Sequence, residues 1–273
     1  MSRVAAIQMV SGSHVAANLQ EAARLISDAA SMGAKLVILP ENFALMAMHP
    51  NDNIQIREQP GSGPIQDFLS QQAQRLGIWL VGGTLPLATE EPQKVYAACL
   101  VFDDKGQKKG HYDKIHLFDV TAAPDEHYCE SETIKAGNRI VVVDTPYGRL
   151  GLAVCYDLRF PELFRGMLTQ GIDLLSIPAA FTAITGKAHW ETLVRARAIE
   201  NICYVIAANQ GGYHVNGRET YGNSMIIDPW GVVLKRLNQG TGVIYADIDL
   251  KKQEQLRHNF PTLKHRKIEC LKP

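Results

Sequence analysis

Three residues could carry reactive chemistry in this chain: an acid at Glu41, an amine at Lys114 and a thiol at Cys155. A thiol nucleophile needs a base to take its proton, donors to hold the oxyanion and an acid for the leaving group. Cys155 follows Leu150-Gly151-Leu152-Ala153-Val154, a short apolar run that reads as a buried strand. Pro161-Glu162 then suits the first turn of a helix, by its fixed φ and its negative charge. A side chain at such a bend is held by rigid elements yet projects beyond the sheet edge, where a nucleophile can work. On its own, a cysteine in this setting is more often a small core residue. The other two change the balance. Glu41 stands just past the apolar run 35–39 and its closing Pro40, and Lys114 just past the run 107–112. Chemistry in α/β folds gathers at the carboxyl ends of strands, so three unlike residues in equivalent places form a constellation.

The elements that must position them follow from the apolar pattern. Residues 4–9 read as a strand, and Leu19, Ala22, Ala23, Ile26 and Ala30 recur at helical spacing up to Gly33. Residues 35–39 form a second strand, stopped by Pro40; strand, helix, strand is the unit of a parallel sheet. Residues 46–63 read as a long loop. A helix over 64–76 places Phe68, Leu69, Ala73 and Leu76 inward and ends at Gly77, and a strand follows over 78–81. Residues 95–102 and 107–112 flank Asp103-Asp104-Lys105-Gly106 as a hairpin, and 117–138 is irregular and acidic. A hairpin joins 140–143 to the strand before Cys155. Further strands are expected over 174–177, ending at Pro178, and over 203–208, with a helix over 188–201 between them. Residues 224–227 and 232–234 flank a turn, and a strand over 243–248 precedes a polar tail. Gly33 to Phe43 and Gly171 to Phe181 match in spacing, each running from a helix-ending glycine through a buried strand to a proline. This echo predicts two related halves, each with a sheet, packed face to face with helices outside. No linker interrupts them, so residues 1–273 are expected to form one domain.

Composition narrows the class. Of 273 residues 46% are hydrophobic, enough for a substantial core. Lys+Arg and Asp+Glu balance at 28 each, which gives no electrostatic reason to expect nucleic acid or an anionic membrane as partner. The N-terminal apolar run is too short for a signal-peptide core, and no segment reaches spanning length. Five cysteines without a CxxC pair suggest neither a disulfide framework nor a zinc site. A reducing compartment, most simply the cytoplasm, is expected.

Leu39-Pro40-Glu41-Asn42, Tyr112-Asp113-Lys114-Ile115-His116-Leu117 and Val154-Cys155-Tyr156-Asp157-Leu158-Arg159-Phe160-Pro161-Glu162 resemble the three signatures of the nitrilase superfamily of carbon–nitrogen hydrolases. The likeness extends through Gly186 to Glu191 and Arg195 to Asn201 and covers nearly the whole chain. It implies a four-layer α-β-β-α sandwich of two mixed sheets, a catalytic triad of Glu41, Lys114 and Cys155, no cofactor or metal, and a homodimer or higher homo-oligomer. It also implies a second glutamate, matched here by Glu130, which orients Lys114 and the substrate nitrogen. In the implied reaction Glu41 accepts the thiol proton and Cys155 attacks an amide carbon. Lys114 and the backbone N–H of Tyr156 hold the oxyanion, and water then releases a carboxylate from the thioester.

Within the superfamily the resemblance is greatest to the branch that hydrolyses deaminated glutathione, with ω-amidases, acting on α-ketoglutaramate, as neighbours. Cys129-Glu130-Ser131, Ala180 to Gly186 and Ala188-His189-Trp190-Glu191 carry that likeness. It expects a small-molecule amide bearing a 2-oxo group and a carboxylate, with Arg159, Phe181, Thr182 and Arg195 as candidate binding residues. Arginine binds a carboxylate bidentately, although Arg159 could equally form a salt bridge with Glu162. Two other classes remain in view. A metal hydrolase could recruit His111, His116, His127 and His189, which lack HExxH spacing. A non-catalytic binding module could keep the fold without the chemistry.

Overall fold

Alternation along the first strands decides the layering. A computed structural model describes residues 1–123 and 126–268 of the chain. In strand Ser2–Gln8, Val4 and Ala6 face one way and Ala5 and Ile7 the other; in Leu36–Ile38, Leu36 and Ile38 are set against Val37. Ala5, Ile7 and Val37 pack on Ala22, Leu25, Ile26, Leu69 and Ala73, from helices Val15–Ser31 and Pro64–Leu76. Val4, Ala6, Leu36 and Ile38 instead join a core shared with the second sheet, with Leu150, Leu174 and Ile206 among its members. That core continues to Phe164, Trp190 and Val194 of helices Pro161–Leu168 and Ala183–Asn201. The order is helix, sheet, sheet, helix, the expected sandwich.

The two halves repeat one plan. In the first, Ser2–Gln8, Leu36–Ile38 and Trp79–Val81 run parallel, with Val4 opposite Leu36 and Leu36 opposite Trp79. In the second, Gly148–Leu152, Leu174–Ala179 and Tyr204–Asn209 run parallel, with Leu150 opposite Leu174 and Leu174 opposite Tyr204. Each trio is flanked by an antiparallel strand on one edge, Gly242–Ile248 and Val142–Thr145 respectively. On the other edge each meets an antiparallel hairpin: Val95–Phe102 with Lys108–Asp113, and Ser224–Ile227 with Val233–Leu237. The parallel pairing predicted from the glycine-to-proline echo is present in both halves.

Several expectations need correction. Strand Leu174–Ala179 runs through Pro178 instead of stopping there. Its neighbour Gly148–Leu152 pairs only as far as Ser176, so a missing N–H at Pro178 takes nothing from that ladder. The loop 46–63 contains a short helix, Asp52–Gln55, and a strand, Leu85–Ala88, follows the Gly82-Gly83 pair. Segment 117–138 is not irregular throughout: Asp119–Ala123 and Glu126–Cys129 form a hairpin, and Glu130–Glu132 a 3₁₀ turn. Helix Ala183–Asn201 begins five residues before 188, because Thr182 accepts the Thr185 N–H and caps it. The polar tail opens with helix Leu250–Asn259, capped by Asp249. Only Gln253 of that helix is buried, so no apolar period announces it; Arg257 fixes it to Asp173 and to the carbonyls of Ile172 and Ile202. Cys270 lies outside the described residues. Among the described residues no helix is long and apolar enough to cross a membrane.

Candidate active site

Glu41 leaves the strand end on a backbone that other elements clamp. Gly83 approaches so closely, at φ +55°, that a Cβ there would lie 2.1 Å from the Pro40 carbonyl oxygen. Thr84 accepts the Asn42 N–H at 2.8 Å, and Gln210, from the other half, donates to the Glu41 carbonyl at 3.0 Å. Lys114 follows strand Lys108–Asp113. Its own N–H goes to Ala97, and its carbonyl accepts from Gly137, whose Cβ position is filled by the Asp113 carbonyl.

The cysteine follows a different rule. Cys155 has φ +46°, a left-handed backbone that a non-glycine residue enters at a cost of about 1 kcal/mol. It opens the 3₁₀ helix Cys155–Arg159, and the first turn leaves the Tyr156 N–H without a partner inside that helix. Asp157, fully buried, ties this turn to the lysine-bearing segment. Its Oδ2 accepts from Tyr112 Oη at 2.7 Å and from Val154 N at 2.8 Å; its Oδ1 meets His116 N at 3.0 Å and His116 Nδ1 at 2.7 Å. Asp157 was visible in the sequence only as part of a motif, and its role as a fastener was not legible there.

These elements bring the three groups together. Lys114, 1% exposed, donates to Glu41 Oε1 at 2.8 Å and to both oxygens of Glu130 at 2.9 and 2.8 Å. An ammonium has three donors, and all three are spent on carboxylates. Glu41 Oε2 accepts the Ala180 N–H at 2.8 Å, and Glu130 Oε2 the Phe118 N–H at 2.8 Å. Above this cluster lies a cleft of about 260 Å³ lined by Glu41, Glu130, Cys155, Tyr156, Phe181 and Arg218, among others.

Charge and burial pull against one another here. Burial works against the Lys114 ammonium, but Glu130 and Glu41 outweigh it and hold its pKa well above the ordinary amine value. Burial pushes the Cys155 thiol well up, and the Glu41 charge adds to this; Lys114 and the Ala180 N–H oppose without prevailing. At neutral pH Cys155 is therefore held as a thiol. Burial also raises the thiols of Cys99, where Asp113 adds to it, and of Cys203. The three thiols then ionise in the unfolded chain, near pH about 8.5, before they do so in the folded one. Above that pH the unfolded state holds fewer protons, so stability falls as pH rises, by up to about 1.4 kcal/mol per thiol per pH unit. Urea unfolding at pH 7.5 and 10 checks this; unchanged stability would contradict the buried thiols.

The remaining sequence candidates divide. Phe181 and Thr182 line the cleft, although Thr182 also caps helix Ala183–Asn201. Arg159 lies over the rings of Phe181 and Tyr156, 5.2 and 5.8 Å from their centroids, and its Nη1 is 3.2 Å from His189 Nδ1; its partner is not Glu162. Arg195 is not brought to the cleft: its Nε donates to the Gly231 carbonyl at 2.9 Å, and Glu191 is 3.8 Å away. Of the histidines, His111 meets Asp113 at 2.7 Å and His116 is held by Asp157 and stacked on Phe160, and among the described residues no three metal-ligating side chains gather. The sequence reading missed Arg218, a cleft residue from the polar hairpin that joins Gly211–Tyr213 to Glu219–Tyr221. No apolar period or motif marks it.

A cysteine beside a carboxylate, an ammonium and a second carboxylate, set at the strand ends of a four-layer sandwich, defines a hydrolase that attacks carbon–nitrogen bonds through sulfur. Residues 3–258 match the carbon-nitrogen hydrolase family, and the chain belongs to it. It is 43% identical over 266 residues to the deaminated glutathione amidase of Synechocystis sp., across 96% of this chain and 97% of that one. With the deaminated glutathione amidase of Homo sapiens it shares 41% identity over 268 residues, 97% of this chain and 82% of that one. Its fold superposes on Saccharomyces cerevisiae Nit3, a member of branch 10 of the nitrilase superfamily, with TM-score 0.87 and 32% identity, covering 98% and 97% of the two chains.

Proposed function

We propose that this enzyme hydrolyses deaminated glutathione, a 2-oxo acid whose far carboxyl is joined as an amide to cysteinylglycine. The observation that carries the reading is the buried Glu41–Lys114–Glu130 cluster beneath the Cys155 cleft; the named relatives supply the substrate. Glu41 takes the Sγ proton as the sulfur–carbon bond forms. The oxyanion is held by the Tyr156 N–H and by Lys114, which releases one of its two bonds to Glu130 to reach it. Glu41 then gives its proton to the departing nitrogen, the carbon–nitrogen bond breaks, and cysteinylglycine leaves a thioester. Water, deprotonated by Glu41, attacks that thioester; the carbon–sulfur bond breaks, the thiol is restored and the 2-oxo dicarboxylate departs. Glu130 orients Lys114 throughout. Arg159, beside the rings of Tyr156 and Phe181, suits the carboxylate of the acyl part.

No residue in this scheme calls for a cofactor or metal. The balanced charge favours neither nucleic acid nor membrane as partner, and the free thiols suit the cytoplasm. A homodimer is proposed because Ile199, Trp230, Val232 and Phe260 are about half exposed, with Trp230 and Phe260 in edge contact. Light scattering should give twice the chain mass of 30.2 kDa; a value of 30.2 kDa would refute the dimer.

Amine or ammonia release over a panel of deaminated glutathione, α-ketoglutaramate, glutamine, asparagine and a simple nitrile tests the substrate. Deaminated glutathione should lead in kcat/KM by about tenfold or more. A lead for α-ketoglutaramate would make the enzyme an ω-amidase, and no turnover of any compound would make the chain a binding module.

A further inference from the structure

Beyond the cleft lies a second, wider groove, lined among others by Met48, Glu126, Tyr128, Ile184, Asn216 and Arg218. Its empty space is about 1220 Å³, against about 260 Å³ in the cleft. Arg218 is common to the walls of both. Its Nη2 donates to the Ala180 carbonyl, and its guanidinium lies 5.0 Å from the centroid of the Tyr128 ring. Nε is buried without a hydrogen-bond partner, and no carboxylate among the described residues pairs with this cation. A guanidinium held on a carbonyl and a ring, with spare donors and no counter-ion, is a site for an anion from outside the chain.

The direction of that site follows from one residue, Ala180. Ala180 gives its N–H to Glu41 and its carbonyl to Arg218. Glu41 is the group that protonates the departing nitrogen, so Arg218 borders the leaving-group side of the cleft. Arg159, over the rings of Phe181 and Tyr156, is not among the residues lining the wide groove. The substrate has two carboxylates, one on the 2-oxo acyl part and one at the glycine end of the leaving dipeptide.

We propose that Arg218 is a specificity-determining residue that binds the carboxylate of the leaving amine, with the wide groove holding the rest of that amine. The inference rests on the function proposed above and adds which end of the substrate is read there. It makes the enzyme selective for amides whose amine part is long and anionic.

The test compares kcat/KM for deaminated glutathione with that for the same compound carrying a carboxamide at its glycine end. Wild-type enzyme should favour the carboxylate form by about 10- to 100-fold, the worth of a hydrogen bond to a charged group. R218Q should bring that ratio close to one, and R218K should keep part of it. A merely structural Arg218 would lower both substrates by the same factor and leave the ratio where it was. Equal wild-type rates on the two compounds, or a ratio unchanged in R218Q, overturn the inference while leaving the proposed function standing. A wild-type enzyme that cuts neither compound removes both. Should R218Q fail to fold, the wild-type ratio and R218K still decide.

Discussion

Cys155→Ala is expected to fold and to lose amide hydrolysis by about 10⁴-fold or more, the scale on which enzymes lose a covalent nucleophile. The side chain is 6% exposed and makes no hydrogen bond that the turn depends on; the turn is fastened by Asp157 instead. Its backbone carries the strain, because φ +46° is unfavourable for alanine as it is for cysteine. Cys155→Gly should therefore melt above Cys155→Ala while being equally inactive, since glycine enters that region at no steric cost. The pair separates two effects that one variant would confuse: removing the sulfur removes the chemistry, and removing the Cβ relieves the turn. Thermal melts and turnover of both variants check this. A Cys155→Ala enzyme that keeps its rate would end the account.

Lys114→Met should be as damaging to the rate and much worse for the fold. The methionine is close in length, so the cavity is filled, but two carboxylates then face each other with no cation between them. Glu41 is 3% exposed and would be left buried and uncompensated, a situation that costs about 3–5 kcal/mol. Lys114→Met/Glu130→Gln should recover part of the stability at neutral pH and none of the activity, because one of the two opposed charges is gone while the oxyanion donor is still missing. Chemical denaturation of the single and double variants reads this coupling directly. Additive losses would mean that the cluster is not the electrostatic unit that the bonds from Lys114 to Glu41 and Glu130 make of it.

Much of the framework could be read from residue patterns because it depends on local signals. The two runs from glycine to proline specified helix end, buried strand and strand pairing, and the registers of Val4 with Leu36 and Leu150 with Leu174 follow that plan. Apolar continuity is a strong signal for a strand covered on both faces. The hairpin Asp119–Ala123 with Glu126–Cys129 gave no such signal, since most of its described residues are partly or fully exposed and no apolar face repeats. Helix Leu250–Asn259 was hidden for the same reason. At the site, Glu41, Lys114 and Cys155 could be picked out because each follows a recognisable strand. What sequence could not supply was the set of contacts across the chain: Asp157 to His116, Ala180 to Glu41, Gln210 to the Glu41 carbonyl, and Arg218 to Ala180. These join segments far apart in sequence, and their geometry exists only once both halves are packed. Arg195 shows the converse. Its position on a motif-bearing helix suggested the cleft, but its face of that helix turns to Gly231.

The central claim is that an acyl group passes through the sulfur of Cys155. Quenching the enzyme in acid during turnover of deaminated glutathione, followed by mass spectrometry of its peptides, measures this most directly. The account predicts a 2-oxoglutaryl thioester on the peptide containing Cys155 and on no peptide containing Cys99, Cys129 or Cys203. Turnover with an acyl group on another residue, or with full rate and no acyl-enzyme in Cys155→Ala, would contradict it.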